Sequence, residues 1–93
     1  MNDEKTEDLD QLLELPVDDE DAEKLQRLKV LAKRIIDARQ QRGLSLEALA
    51  FSVGISKGNL SDIENLKRNP RYTTLVAIAE GLNLSVSELL RGL

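Results

Sequence analysis

Residues 43–66 read GLSLEALAFSVGISKGNLSDIENL, and the reading of this stretch decides the fold. Leu49, Ala50 and Val53 share one face of a helix that begins after Ser45. Ser45 suits its N-cap, where a hydroxyl accepts a free backbone N–H, and Glu47 suits the positive end of the helix dipole. Ala50 is small enough for a second helix to cross closely. Gly54 supplies the left-handed turn that side-chain-bearing residues resist. Ile55 plugs the core from within that turn, Ser56 caps the next helix, and Leu60 and Ile63 form its inward stripe. The spacing predicts a helix, a tight turn at 53–55, and a second helix over residues 56–65.

The second helix turns Lys57, Gly58, Asn59, Ser61 and Asp62 outward. Helix starts favour Asp or Glu, yet this one carries Lys57 and no acid before Asp62. Gly58 in the first turn costs about 1 kcal/mol relative to Ala. Local rules fail most often where a surface has work to do. A lysine at a positive helix end makes sense beside a phosphate or a guanine edge, and Gly58 makes sense where backbone must approach another surface. This is the layout of a helix-turn-helix that lays its second helix in the major groove of DNA. The competing reading is an ordinary helical hairpin with a tolerated glycine. On the DNA reading, Lys57, Asn59, Ser61 and Asp62 face base edges: Lys57 donates to guanine, Asn59 pairs with adenine and Asp62 accepts from cytosine.

Further pieces fall in order along the chain: Arg34-Ile35-Ile36, Arg42-Gly43-Leu44-Ser45, Glu47-Ala48-Leu49-Ala50, Gly54-Ile55-Ser56, Leu60-Ser61-Asp62-Ile63-Glu64, Asn69-Pro70, Thr74-Leu75, Ile78-Ala79, Leu82-Asn83-Leu84-Ser85 and Glu88-Leu89-Leu90. With these, residues 29–91 resemble the Cro/C1-type, or XRE-like, helix-turn-helix family of phage repressors, restriction-modification controllers and antitoxins. The resemblance implies an all-α, five-helix, lambda repressor-like domain. It also implies an ion pair between Arg39 and Glu64, tying the first helix to the reading helix, and a two-fold dimer through Val86, Leu89, Leu90 and Leu93. Three positions depart from the family pattern. Leu46 replaces a Gln that commonly bridges phosphate and the reading helix. Leu66 replaces a Gly that often ends that helix, so Asn65 is expected to take the left-handed conformation. Gly58 replaces a longer, base-reading side chain.

Charge is divided along the chain. Residues 1–24 hold eleven acids and two lysines, whereas residues 25–93 hold eleven bases and six acids, within a total of −4. The folded part is therefore basic although the chain is acidic. Lys29, Lys33, Arg34, Arg39 and Arg42 lie on the first helix, and Lys67, Arg68 and Arg71 fill the loop after the reading helix. Lys29 and Lys33 read as solvated surface. Phosphate contacts are expected from Arg42, Ser45, Lys67, Arg68, Asn69, Arg71 and Tyr72, fixing the register of the reading helix.

Ninety-three residues suit one small domain and a tail, with 41% hydrophobic content but a single Phe and a single Tyr. The absence of Cys and His removes a disulfide framework, Cys-based metal sites, the usual zinc ligands and the usual general base. There is no phosphate-cradling glycine loop and no nucleophile–base pair at credible spacing, so an enzyme is not expected and no cofactor is implied. No apolar run approaches the roughly 18 residues of a membrane span, and the acidic N-terminus is unlike a secretory signal. A cytoplasmic, nucleoid-associated protein is the expectation.

The division expected is an acidic extension over 1–24 and a helix-turn-helix domain over 25–93. Thr6 to Leu15 places Leu9, Leu12 and Leu13 on one helical face, a short helix over 7–15 that Pro16 stops. Asp18 or Asp19 then starts a helix from about Glu20 to Arg42, with Leu25, Leu28, Ala32 and Ile35 on one stripe. Thr73 or Thr74 is expected to cap a fourth helix with Leu75, Ile78, Ala79 and Leu82 inward. Ser85 and Glu88 form a capping box for a fifth. Three readings of the extension compete: a solvated tail, a helix docking through its leucines, and a mobile acidic cover for the basic face. The function expected is a sequence-specific transcriptional regulator, a repressor binding an inverted repeat as a dimer. The alternative is an antitoxin-like module whose acidic N-terminal segment binds a partner protein.

Overall fold

The structure is a computed structural model that describes residues 19–93. It contains five helices, α1 (Asp19–Gln41), α2 (Leu46–Val53), α3 (Lys57–Glu64), α4 (Tyr72–Gly81) and α5 (Val86–Leu89), and no strand among the described residues. The expected helix over 7–15, with Pro16 and Asp18, lies outside the described residues. Helix α1 runs unbroken across residue 25, the expected boundary between extension and domain.

The core is wholly aliphatic. Leu31, Ala32, Ile35 and Ala38 from α1 meet Leu49 and Ala50 from α2, Leu60 and Ile63 from α3, and Leu75, Ile78, Ala79 and Leu82 from α4 and its end. No polar or charged residue is buried among the described residues. Leu25 and Leu28 are only half-buried, so the core stripe of α1 begins at Leu31. Ala50 is 2% exposed at the close approach of α2 to its neighbours. A Cβ built on Gly81 would overlap Val53 Cγ1, so α4 meets α2 closely enough at its end to require a residue without a side chain.

Serine caps start three helices. Ser45 Oγ accepts the Ala48 amide, Ser56 Oγ the Asn59 amide and Ser85 Oγ the Glu88 amide, each at 3.0 Å. Glu88 reciprocates by accepting the Ser85 N–H at 2.8 Å, completing the capping box and holding its carboxyl below the ordinary carboxylate range. Helix α4 differs from expectation. Its N-cap is Arg71, with no side-chain cap bond, and Thr73 lies inside the first turn. The Leu75 amide bonds to the Arg71 carbonyl at 3.0 Å, starting the helix directly after Pro70. Burial of Leu75 stabilises that start.

Helices α1 to α4 end in one pattern, with a left-handed residue at Gly43, Gly54, Leu66 and Asn83 (φ 67°, 78°, 64° and 60°). In each case two amides bond back to the last helical turn. Around Leu66 they are Leu66 N–H to the Ile63 carbonyl (3.3 Å) and Lys67 N–H to the Asp62 carbonyl (2.8 Å). The left-handed position after α3 is thus Leu66, not the expected Asn65, whose φ is −102°. Buried Ile63 and tethered Glu64 keep the helix intact to residue 64, so the reversal falls two residues on. Asn65 instead donates its side-chain amide to the Ser61 carbonyl at 2.8 Å.

The C-terminal end brings a second correction. Leu89, expected at a dimer surface, is 1% exposed and belongs to the core. Helix α5 has only four residues, and its one fully inward side chain closes the space beside α1 and α4. Arg34 Nη1 donates to the Leu89 carbonyl at 2.8 Å and fixes this end against α1. Val86 and Leu90 are half-buried against the core, and Leu93 is exposed.

Candidate nucleic-acid interface

The interface is built around α3. Leu60 and Ile63 anchor it inward, which leaves Lys57 and Gly58 exposed and Asn59, Ser61 and Asp62 half-exposed. At its far end Glu64 receives Arg39 in a two-pronged bond, Nε to Oε2 at 2.8 Å and Nη2 to Oε1 at 3.1 Å. The same guanidinium donates Nη1 to the Leu44 carbonyl at 2.9 Å. One side chain from α1 therefore sets both the entry to α2 and the end of α3.

The loop after α3 lies alongside it. Asn59, Arg68, Asn69, Pro70, Arg71 and Thr74 line a groove of about 250 Å³. This brings four of the sequence-predicted contact residues together: Asn59, Arg68, Asn69 and Arg71. The Asn59 side-chain oxygen is buried with no hydrogen-bond partner among the described residues. That is a costly state for an acceptor. Tyr72 stands 67% exposed at the start of α4. Arg42 is exposed at the end of α1, with Nη1 3.5 Å from the Ala38 carbonyl. Ser45 uses its oxygen as an acceptor in the cap, which keeps its O–H free to donate.

Lys67 occupies a distinctive seat. After the left-handed residues that end α1, α2 and α4, the next residue is Leu44, Ile55 or Leu84, each packed against the core. After α3 the order is inverted: Leu66 takes the strained backbone position and Lys67 the seat an apolar residue holds elsewhere. The inversion leaves Lys67 exposed in the loop directly after α3.

Two ion pairs on this face were not read from the sequence. Lys57 Nζ lies 2.9 Å from Glu47 Oε2 on the first turn of α2, and Arg68 Nη2 lies 3.3 Å from Asp62 Oδ2. The Lys57 bond, with a backbone bond to Glu47, holds the Glu47 carboxyl below its ordinary range. Neither pair has a helical spacing, so only the folded chain reveals them. Phe51 is 88% exposed on α2, outside the Leu49–Ala50–Val53 face that the periodicity marks. Leu46 is half-buried against the core and supplies packing where the family pattern has a polar bridge.

A family model described as helix-turn-helix, HTH_3, matches residues 35–89, more than half of the chain. The chain belongs to this helix-turn-helix family. The HTH-type transcriptional regulator DdrOP3 of Deinococcus deserti is 39% identical over 62 residues, which span 67% of this chain and 48% of that protein. The HTH-type transcriptional regulator SinR of Bacillus subtilis is also 39% identical over 62 residues, 66% of this chain and 56% of that protein. The match thus spans about half the length of these relatives. The crystal structure of the restriction-modification controller protein C.AhdI from Aeromonas hydrophila superposes with a TM-score of 0.65 at 29% identity, covering 67% of this chain and 94% of that one. These relatives are named as regulators and not as enzymes. As a helix-turn-helix family member, the chain carries a DNA-binding domain whose motif is α2 and α3. No helix among the described residues is long and apolar enough to cross a membrane.

Proposed function

We propose that this chain is a sequence-specific transcriptional repressor that binds an inverted-repeat operator as a dimer, with α3 in the major groove. The observation that supports the reading is that Asn59, on the outward polar face of α3, lines one groove with Arg68, Asn69 and Arg71 of the basic loop. Lys57, Asn59, Ser61 and Asp62 are the base-reading side chains in this proposal. Arg42, Ser45, Lys67, Arg68, Asn69, Arg71 and Tyr72 grip phosphates and set the register. Val86, Leu90 and Leu93, without Leu89, supply the dimer surface. A symmetric dimer places its two reading helices about one helical turn of DNA apart.

The test is footprinting and in vitro transcription on the DNA upstream of the chain's own coding sequence, a natural target for a self-limiting repressor. The expected result is two symmetric protected half-sites about 10 base pairs apart, centre to centre, with reduced transcript. A single asymmetric half-site would contradict the dimer, and increased transcript would contradict repression.

A further inference from the structure

The two acids on the DNA-facing surface are placed to do more than accompany their cations. We propose that Glu47 and Asp62 set specificity by holding Lys57 and Arg68 away from phosphate, releasing Lys57 to a matching guanine edge and Arg68 to the backbone only when Asp62 meets a matching base. The inference rests on the DNA-binding reading above and concerns how that same face discriminates.

The geometry supports it in three steps. First, Lys57 is held at 2.9 Å by Glu47 across the α2–α3 junction, and Arg68 at 3.3 Å by Asp62 from loop to helix. Both pairs are well exposed, with 61% of each side chain open in the first and 51% and 41% in the second. Exposed pairs of this kind contribute little to folding, so stability does not account for them. Second, they divide the basic residues of the face into two classes. No ion pair among the described residues engages Lys67 or Arg71. These two cations are open to any phosphate, whereas Lys57 and Arg68 each arrive with a countercharge.

Third, the acids treat the two kinds of DNA contact differently. A phosphate drawn to Lys57 comes within a few ångströms of the Glu47 carboxylate and is repelled by it. A guanine O6/N7 edge is uncharged, and Lys57 can turn to it without forcing two anions together. Asp62 behaves likewise, and it can accept from a cytosine amino group once Arg68 has moved to the backbone. Discrimination gained by penalising the wrong partner is as effective as added attraction to the right one. The lowered pKa of Glu47 keeps that acid ionised. Asp37, paired with Lys33 at 3.1 Å, lies on the α1 side that faces α5 and provides a charge-matched control.

The experiment measures binding of the full chain to a short random-sequence duplex and to a selected operator across a salt series. The proteins are the wild type, Glu47→Gln, Asp62→Asn and Asp37→Asn, each checked for an unchanged circular-dichroism spectrum. Glu47→Gln is expected to bind the random duplex about fivefold tighter at low salt, with a salt slope steeper by about one phosphate. Its operator affinity changes less, so the ratio of operator to random binding falls. Asp62→Asn shows the same gain on random duplex and also loses some operator affinity. Asp37→Asn leaves the random-duplex affinity near that of the wild type. Wild-type binding with no gain in Glu47→Gln overturns the inference while leaving the DNA reading intact. An equal gain in Asp37→Asn overturns it in favour of net charge. Failure of every protein to bind either duplex overturns the DNA reading and this inference with it.

Discussion

The Arg39 guanidinium makes three hydrogen bonds, two to Glu64 and one to the Leu44 carbonyl, from a side chain only 13% exposed. Glu64 is less exposed still, at 8%. Removing one partner of such a pair leaves the other desolvated and unpaired. Glu64→Ala is therefore expected to cost about 3 kcal/mol. In a domain of this size that lowers Tm on the order of 15 °C by thermal denaturation. Arg39→Met combined with Glu64→Leu removes both charges together and is expected to lose much less. A Glu64→Ala melting curve that overlays the wild type would refute the tether. Residue identities alone make part of this site legible. The family resemblance places Arg39 opposite Glu64, and Lys57 and Gly58 stand out because their types break the rules for the start of a plain helix. The partners of Lys57 and Arg68 are not legible in the same way, because the separations from Glu47 and Asp62 are ones that no local periodicity selects.

At the scale of elements, sequence signals are clearest where the physics is local. Ser45, Ser56 and Ser85 can be read as caps because a cap is settled within one turn, and Gly54 because its left-handed φ is a property of one residue. The start of α4 and the end of α3 depart from the sequence expectation because tertiary contacts decide them. Leu75 burial brings the α4 start forward to Arg71, and the Ile63 and Glu64 anchors push the reversal onto Leu66. The crossing of α2 and α4 gives a prediction at this scale. Gly81→Ala would normally favour a helix slightly, but here the new methyl overlaps Val53 Cγ1 and crowds Leu49 Cδ1. Val53 is β-branched and cannot swing clear easily. The expected result is a loss of about 1–2 kcal/mol in denaturant unfolding, largely recovered in a Gly81→Ala, Val53→Ala double variant. A stabilised Gly81→Ala protein would show that the two helices can part without cost.

For the whole molecule, the all-α architecture is readable from the spacing of aliphatic residues, since a small core of Leu, Ile and Ala leaves few other packings. The exposure of both aromatic residues, Phe51 at 88% and Tyr72 at 67%, follows only once that core is seen to close without them. The division of charge also belongs to this scale. A chain of net −4 presents a basic loop after α3 because most of its acids are concentrated in residues 1–24. In the proposed complex, α3 reads bases while the loop and the α1 end hold the backbone. The most direct test is selection of bound sequences from a random duplex library, run in parallel with the full-length protein and a Lys57→Ala, Asn59→Ala variant. The expected result is an enriched inverted repeat with the wild type, and loss of base preference with residual, salt-sensitive binding in the variant. The same motif enriched equally by both proteins would contradict base reading through α3.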